Sequence, residues 1–111
     1  DKYLDGKAGL FCVNVGYGRK ELSEAAFEQM NIMPYYPLTQ GHIPAIQLGE
    51  KLNQWLGDEY IIFFSNSGSE ANEVAFKIAR QYHQQNGEPS RYKFISRYRA
   101  YHGSSMGALA A

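Results

Sequence analysis

Apolar and polar positions alternate along the chain in a way that divides it into short elements. Tyr3-Leu4 and Leu10-Phe11-Cys12-Val13 flank the turn signal Asp5-Gly6-Lys7-Ala8-Gly9, which predicts a small β-hairpin. From Glu21 to Met33, Leu22, Ala25, Ala26, Met30 and Met33 recur at helical spacing, and Pro34 stops the helix. A loop follows from Pro34 to His42. Pro44 then suits the first turn of a second helix, whose apolar face is Ala45, Leu48, Leu52, Trp55 and Leu56 and whose end is Gly57. Tyr60-Ile61-Ile62-Phe63-Phe64 is apolar without alternation, as in a strand buried on both faces of a parallel sheet. The third helix carries Ala71, Val74, Ala75, Ile78, Ala79 and Tyr82 on one side. On its other side Glu73 and Lys77 are spaced to pair, and His83 is expected to be solvated. Asn86-Gly87-Glu88-Pro89 ends it. Tyr92-Lys93-Phe94-Ile95-Ser96 predicts a second strand, followed by the polar, aromatic turn Arg97–Gly103 and a helix growing from Ser104.

The order helix, strand, helix, strand, helix predicts an α/β fold with a mostly parallel sheet and helices on both faces. The hairpin and first helix form a separate small lobe, residues 1–40, and residues 41–111 begin a larger domain. The chain does not open with methionine and ends inside a helix-like run, so it is expected to be a piece of a longer protein.

Eleven basic residues balance eleven acidic ones and the two signs are interspersed, so neither a nucleic acid nor an anionic membrane is the expected partner. No apolar run approaches the length of a membrane span. Cys12 is the single cysteine. It permits no internal disulfide, fits a reducing cytoplasm, and is expected to act as a small buried hydrophobe. The three histidines have no metal-ligand spacing, and no metal site is assigned. No glycine-rich run ends in the Lys-Ser or Lys-Thr of a nucleotide phosphate loop.

The chemistry concentrates in Ser65-Asn66-Ser67-Gly68-Ser69-Glu70-Ala71-Asn72-Glu73, a strand-to-helix junction. A helix N-terminus presents unpaired amides and the positive end of the helix dipole, which together suit a phosphate or carboxylate. Gly68 lets an anion approach the backbone, and Ser67 and Ser69 add hydroxyls. A competing reading is a capping box in which Ser67 and Glu70 close the helix on itself. Ligands in parallel sheets collect at the carboxyl ends of strands. An anion at this junction would therefore lie near Tyr101 and His102, beyond the second strand. Tyr101 is placed to cover a planar ring or to pack on a helix. His102 is placed to act as a base, a hydrogen-bond partner or a structural cap.

Ser65–Glu73 followed by Ala75-Phe76-Lys77-Ile78-Ala79-Arg80 resembles the phosphate-cup segment of class III aminotransferases, pyridoxal-phosphate enzymes of fold type I that include the omega-aminotransferases. Tyr101-His102-Gly103 resembles the family's stacking loop. Gly9-Leu10-Phe11 through Asn14-Val15-Gly16-Tyr17-Gly18 is similar to its amino-terminal segment. The resemblance implies that residues 41–111 begin the large cofactor-binding domain and that Ser67, Gly68 and Ser69 hold the phosphate. It further implies that Tyr101 stacks on the pyridine ring beside His102. Phe11 would line the substrate pocket, where many omega-aminotransferases have tryptophan. The implied activity moves an amino group between a small-molecule amine or omega-amino acid and a keto acid such as pyruvate, in a cytoplasmic homodimer. The Schiff-base lysine and the aspartate that holds the pyridine nitrogen are expected beyond Ala111. None of the lysines here (Lys2, Lys7, Lys20, Lys51, Lys77, Lys93) stands in the matching context. The catalytic residues are therefore expected outside this chain, which alone is expected to be inactive. A racemase or aminomutase sharing the cup is one alternative. A non-catalytic fragment that keeps only the cup is another, of a different class.

Overall fold

The computed structural model describes residues 1–37 and 39–111; Leu38, inside the loop expected from Pro34 to His42, lies outside the described residues. The elements are α1 (Ala8–Phe11), α2 (Lys20–Ile32), α3 (Ile43–Leu56), α4 (Gly68–Gln85) and α5 (Met106–Ala110). They fall into two compact units, Asp1–Lys51 and Leu52–Ala111, divided within α3.

In the first unit the expected hairpin is replaced by a left-handed turn. Ala8, Gly9, Leu10 and Phe11 all have φ between 49° and 68°. The amides of Phe11 and Cys12 donate to the carbonyls of Lys7 and Ala8 at 2.9 and 3.0 Å. Left-handed backbone costs roughly 1–2 kcal/mol per non-glycine residue, so something must hold it. Asp5 does: its carboxylate accepts the amides of Lys7 (2.9 Å) and Gly9 (2.7 Å) and the hydroxyl of Tyr17 (2.8 Å). A side chain that gathers nearby donors in this way competes with strand pairing. Cys12, expected to be buried, is exposed on the far end of the turn. The α2 helix begins and ends within a residue of expectation, with Met33 extended before Pro34.

The bonds from the Lys7 amide, the Tyr17 hydroxyl and the Gly9 amide hold the Asp5 carboxyl below its ordinary value. The folded turn therefore favours the ionised form. Its contribution is complete above the ordinary carboxylate value and is lost as pH falls through the lowered one. Acidification is expected to release this turn before the helices melt. Amide chemical shifts of Lys7 and Gly9 followed against pH would show it, and shifts that stay constant through the carboxylate range would contradict it.

The second unit is organised by two glycine-terminated helix ends. At the end of α3 the amides of Gly57 and Asp58 donate to the carbonyls of Gln54 and Asn53. At the end of α4 those of Gly87 and Glu88 donate to Gln84 and His83. Both are Schellman motifs with glycine at positive φ, 102° and 77°. His83 is not simply solvated. Its Nδ1 meets Glu88 Oε2 at 3.0 Å, and Arg91 reaches the same oxygen at 3.3 Å.

After each helix, over 59–65 and 91–97, where the two strands were expected, the chain forms no regular element. Among the described residues neither segment joins a β-ladder, and no sheet is present. A strand needs the edge of a second strand, and these two do not pair with each other. Instead Phe94 packs its ring 4.7 Å from that of Phe76 on α4. Ile61 and Ile95 are fully exposed, and Ala108 is the single buried apolar side chain among the described residues. No helix among the described residues is long and apolar enough to cross a membrane.

Candidate functional site

The site assembles where α4 begins. Ser67 is the N-cap, in extended backbone, and its Oγ accepts the Glu70 amide at 3.2 Å. Glu70 reaches back to the amide of Asn66 at 2.9 Å. The capping box of the sequence reading thus forms, shifted by one residue on the return bond. It leaves room for the competing reading as well. The first helical bond is made by Ala71, to the Ser67 carbonyl. The amides of Gly68 and Ser69 take no partner among the described residues. A Cβ at Gly68 would meet nothing within 4 Å.

Opposite this terminus runs the loop 101–105. The Ser104 amide donates to Ser69 Oγ at 2.9 Å, so the Ser69 hydroxyl serves as an acceptor and keeps its proton to donate. The side-chain amide of Asn72 donates to the His102 carbonyl. Ser67, Gly68, Ser69, Tyr101 and His102, five of the six site residues expected from sequence, line one depression of about 690 Å³ with Asn72 and Ser104. Tyr101 is mostly exposed, and His102 Nε2 is buried without a hydrogen-bond partner among the described residues. Phe11, the sixth, belongs to the first unit, at the end of the left-handed turn, and is exposed.

Close approach of the loop depends on Gly103. Its φ is 136°, and a Cβ there would stand 2.6 Å from Ser69 Oγ and 2.9 Å from Ser69 Cα. Upstream, Arg99 at φ 59° turns the chain through a bond from the Ala100 amide to the Arg97 carbonyl.

Sequence reading missed Asn72 and Glu73. Glu73 was expected to pair with Lys77, but among the described residues the two form no salt bridge, and Lys77 adds only the smallest part of the field on the Glu73 carboxylate. Its carboxylate accepts from Ser105 Oγ at 2.6 Å and from the amides of Gly107 and Ala108 at 2.7 and 3.1 Å. These bonds, that of Ser105 foremost, hold its pKa below the ordinary value. The available signal was spacing: Ser69, Asn72 and Glu73 are three polar residues at i, i+3 and i+4 on one helix face.

A helix terminus with two open amides, walled by an aromatic loop, is the arrangement this geometry defines. Over 95% of the chain the fold matches, with a TM-score of 0.87 and 38% identity, an amine transaminase from an uncultivated Pseudomonas species in its PLP-bound form, covering 24% of that chain. The chain belongs to the class-III aminotransferases: the model of the family Aminotransferase class-III matches residues 1–111. It is 76% identical over 110 residues to the uncharacterized aminotransferase YhxA of Bacillus subtilis, across 99% of this chain and 24% of that protein. It is 39% identical over 113 residues to a putrescine–pyruvate aminotransferase of Pseudomonas aeruginosa, with 99% and 25% covered. A taurine–pyruvate aminotransferase of Bilophila wadsworthia is 44% identical over 110 residues, with 98% and 24% covered. The chain therefore spans about a quarter of the length of these relatives.

Proposed function

We propose that this chain is the amino-terminal quarter of a pyridoxal-phosphate-dependent aminotransferase that moves an amino group from an amine or omega-amino acid to a keto acid. The observation that carries the reading is the pair of unpartnered amides, Gly68 and Ser69, in the depression that Tyr101 also lines. The residues fit the cofactor. The two amides and the Ser69 hydroxyl hold its phosphate, with the α4 dipole behind them. The Ser67 hydroxyl, already accepting from Glu70, has its proton free for the same anion. Tyr101 covers the ring, and His102 supports that loop. Pyridoxal phosphate supplies an electron sink once an amine has condensed with it. This chain's residues bind and orient it. For Phe11 we propose contact with the substrate, on the resemblance of its segment to the family's amino-terminal segment. Pyruvate is the acceptor named for the putrescine and taurine relatives, and we take it as the acceptor here.

Within the full-length protein the segments 59–65 and 91–97 become strands of the fold type I sheet, residues 41–111 open its large domain, and 1–40 belong to the small one. The complete enzyme is a homodimer. The lysine and aspartate of the chemistry lie beyond Ala111, so the 111-residue chain alone is inactive.

The test uses the full-length protein, pyridoxal phosphate, pyruvate and a panel of diamines and omega-amino acids. Alanine formation is the expected result. Racemisation or rearrangement of the donor, with no amino group passed to pyruvate, would favour the other enzymes of this fold. Ser69→Ala is expected to weaken cofactor affinity roughly tenfold, the worth of one hydrogen bond to a charged group. Gly68→Val, which meets no neighbour in the fold, is expected to do the same by filling the space over the amides. Wild-type affinity in both variants would remove the phosphate from this site.

A further inference from the structure

The loop bearing Tyr101 and His102 is fastened to α4 at three helical positions. Ser69 accepts the Ser104 amide, Asn72 donates to the His102 carbonyl, and Glu73 takes the rest. All three donors that Glu73 serves converge on one oxygen, Oε1: the hydroxyl of Ser105, the N-cap of α5, and the amides of Gly107 and Ala108. The donors at a helix start are normally left to a side chain of the N-cap itself or to water. Here the Ser105 hydroxyl makes no cap bond to α5, and a carboxylate from another helix serves the terminus instead.

The fit is close on every side. A side chain at Gly107 would run into the Glu73 carboxylate. Ala108 is the buried apolar side chain of the unit, and its Cβ is what a Cβ at Gly103 would meet at 2.8 Å. Glu73 thus fixes the start of α5 on α4. Ser104, one residue before the N-cap, is delivered to Ser69, and Tyr101 and His102 are delivered to the rim of the cup.

We infer that Glu73 is the positioning residue of this site: by gathering Ser105, Gly107 and Ala108 onto α4, it sets where Tyr101 and His102 stand against the amides of Gly68 and Ser69. It touches neither cofactor nor substrate and acts through the loop. The inference rests on the pyridoxal-phosphate reading above. A carboxylate that merely braced the fold would change melting temperature alone. A positioning residue also changes how the cofactor is held.

The experiment uses the full-length protein with Glu73→Ala, Glu73→Gln, Ser105→Ala and Ser69→Ala. Three quantities are read for each: pyridoxal-phosphate affinity by titration, the visible-range circular dichroism of the bound cofactor, and the melting temperature of the cofactor-free protein. Glu73→Ala is expected to lose affinity roughly tenfold or more, since it removes three hydrogen bonds to a charged acceptor, and to alter the visible dichroism. Glu73→Gln keeps a carbonyl oxygen for the same donors and is expected to recover most of both signals. Ser105→Ala, which removes one bond of the three, should fall between. Wild-type affinity and dichroism in Glu73→Ala would overturn the inference, whatever its melting temperature. Should that variant not fold, wild-type affinity and dichroism in Ser105→Ala would overturn it equally. A wild-type protein that binds no pyridoxal phosphate would overturn the cofactor reading and the inference with it. A Ser69→Ala loss without any Glu73 effect would overturn the inference alone.

Discussion

Gly103→Ala in the full-length protein is expected to strip the enzyme of its cofactor at pyridoxal-phosphate concentrations that saturate the wild type. Two independent penalties meet at this residue. Its φ of 136° belongs to backbone that essentially only glycine adopts, at a cost of about 1–3 kcal/mol for any other residue. The added Cβ would also lie 2.6, 2.8 and 2.9 Å from Ser69 Oγ, Ala108 Cβ and Ser69 Cα. One of those atoms is helix backbone and cannot step aside, so overpacking adds about 1–3 kcal/mol. Together they amount to about 2–6 kcal/mol, or roughly thirtyfold and upward in an equilibrium constant. The loop relieves this by leaving α4, which breaks the Ser104–Ser69 bond and carries Tyr101 away from the cup. Gly87→Ala is the control. Gly87 also has positive φ, 77°, but a Cβ there meets nothing within 4 Å. It should cost about 1 kcal/mol of stability and leave cofactor affinity alone. Cofactor titration and thermal melting of the two variants check this. A Gly103→Ala enzyme that binds pyridoxal phosphate within a few-fold of wild type would mean that the close approach of loop and helix is not required.

What could be read from the sequence was what depends on neighbours in sequence. The apolar spacing of Leu22 to Met33 marked α2 to within a residue. Pro44 and Gly57 marked α3, and Asn86-Gly87 marked the stop of α4, because capping and helix periodicity act over four or five residues. The Ser67–Ser69 junction was legible for the same reason. The two strands depend on partners that local pattern does not contain, and among the described residues they have none. Glu73 was read as the partner of Lys77, four residues away, whereas its bonds reach 32 to 35 residues along the chain. The hairpin at the start failed on chemistry that is local but easily overlooked: Asp5 collects two amides and a tyrosine hydroxyl and turns the chain left-handed.

Most instructive is the helix face. On the apolar side of α4, Ala71, Ala75, Ile78 and Tyr82 are exposed, and Val74 and Ala79 are half-covered. Ser69, Asn72, Glu73, Phe76 and His83 are half-covered as well. Within this chain, α4 uses polar positions to build the site and leaves much of its apolar side bare. An apolar stripe on a helix is normally paid for by burial against a partner. Together with the exposed Ile61 and Ile95, the bare part points to cover supplied by the rest of a full-length protein.

The 111-residue chain produced alone is accordingly expected to self-associate, bind a hydrophobic dye and show no amino transfer, while the full-length protein runs as a single dimeric species with little dye binding. Ile61 and Ile95 are 100% exposed, Phe63 71% and Ile78 60%. Burying such side chains is worth about 1.5–3 kcal/mol each, so leaving these four in water forgoes on the order of 5–10 kcal/mol. That is comparable to the whole stability of a typical domain, about 5–15 kcal/mol. The segments 59–65 and 91–97 join no β-ladder and add largely unpaired backbone beside these same side chains, and such backbone templates pairing between chains. Association of the isolated chain should therefore run through 59–65 and 91–97. Ile61→Lys and Ile95→Lys, each placing a charge on one segment, should suppress it without restoring turnover. Light scattering during size-exclusion chromatography decides the matter. A monodisperse monomer that melts cooperatively and excludes the dye would show that the chain covers its apolar face unaided, and the need for cover from the rest of the enzyme would fall.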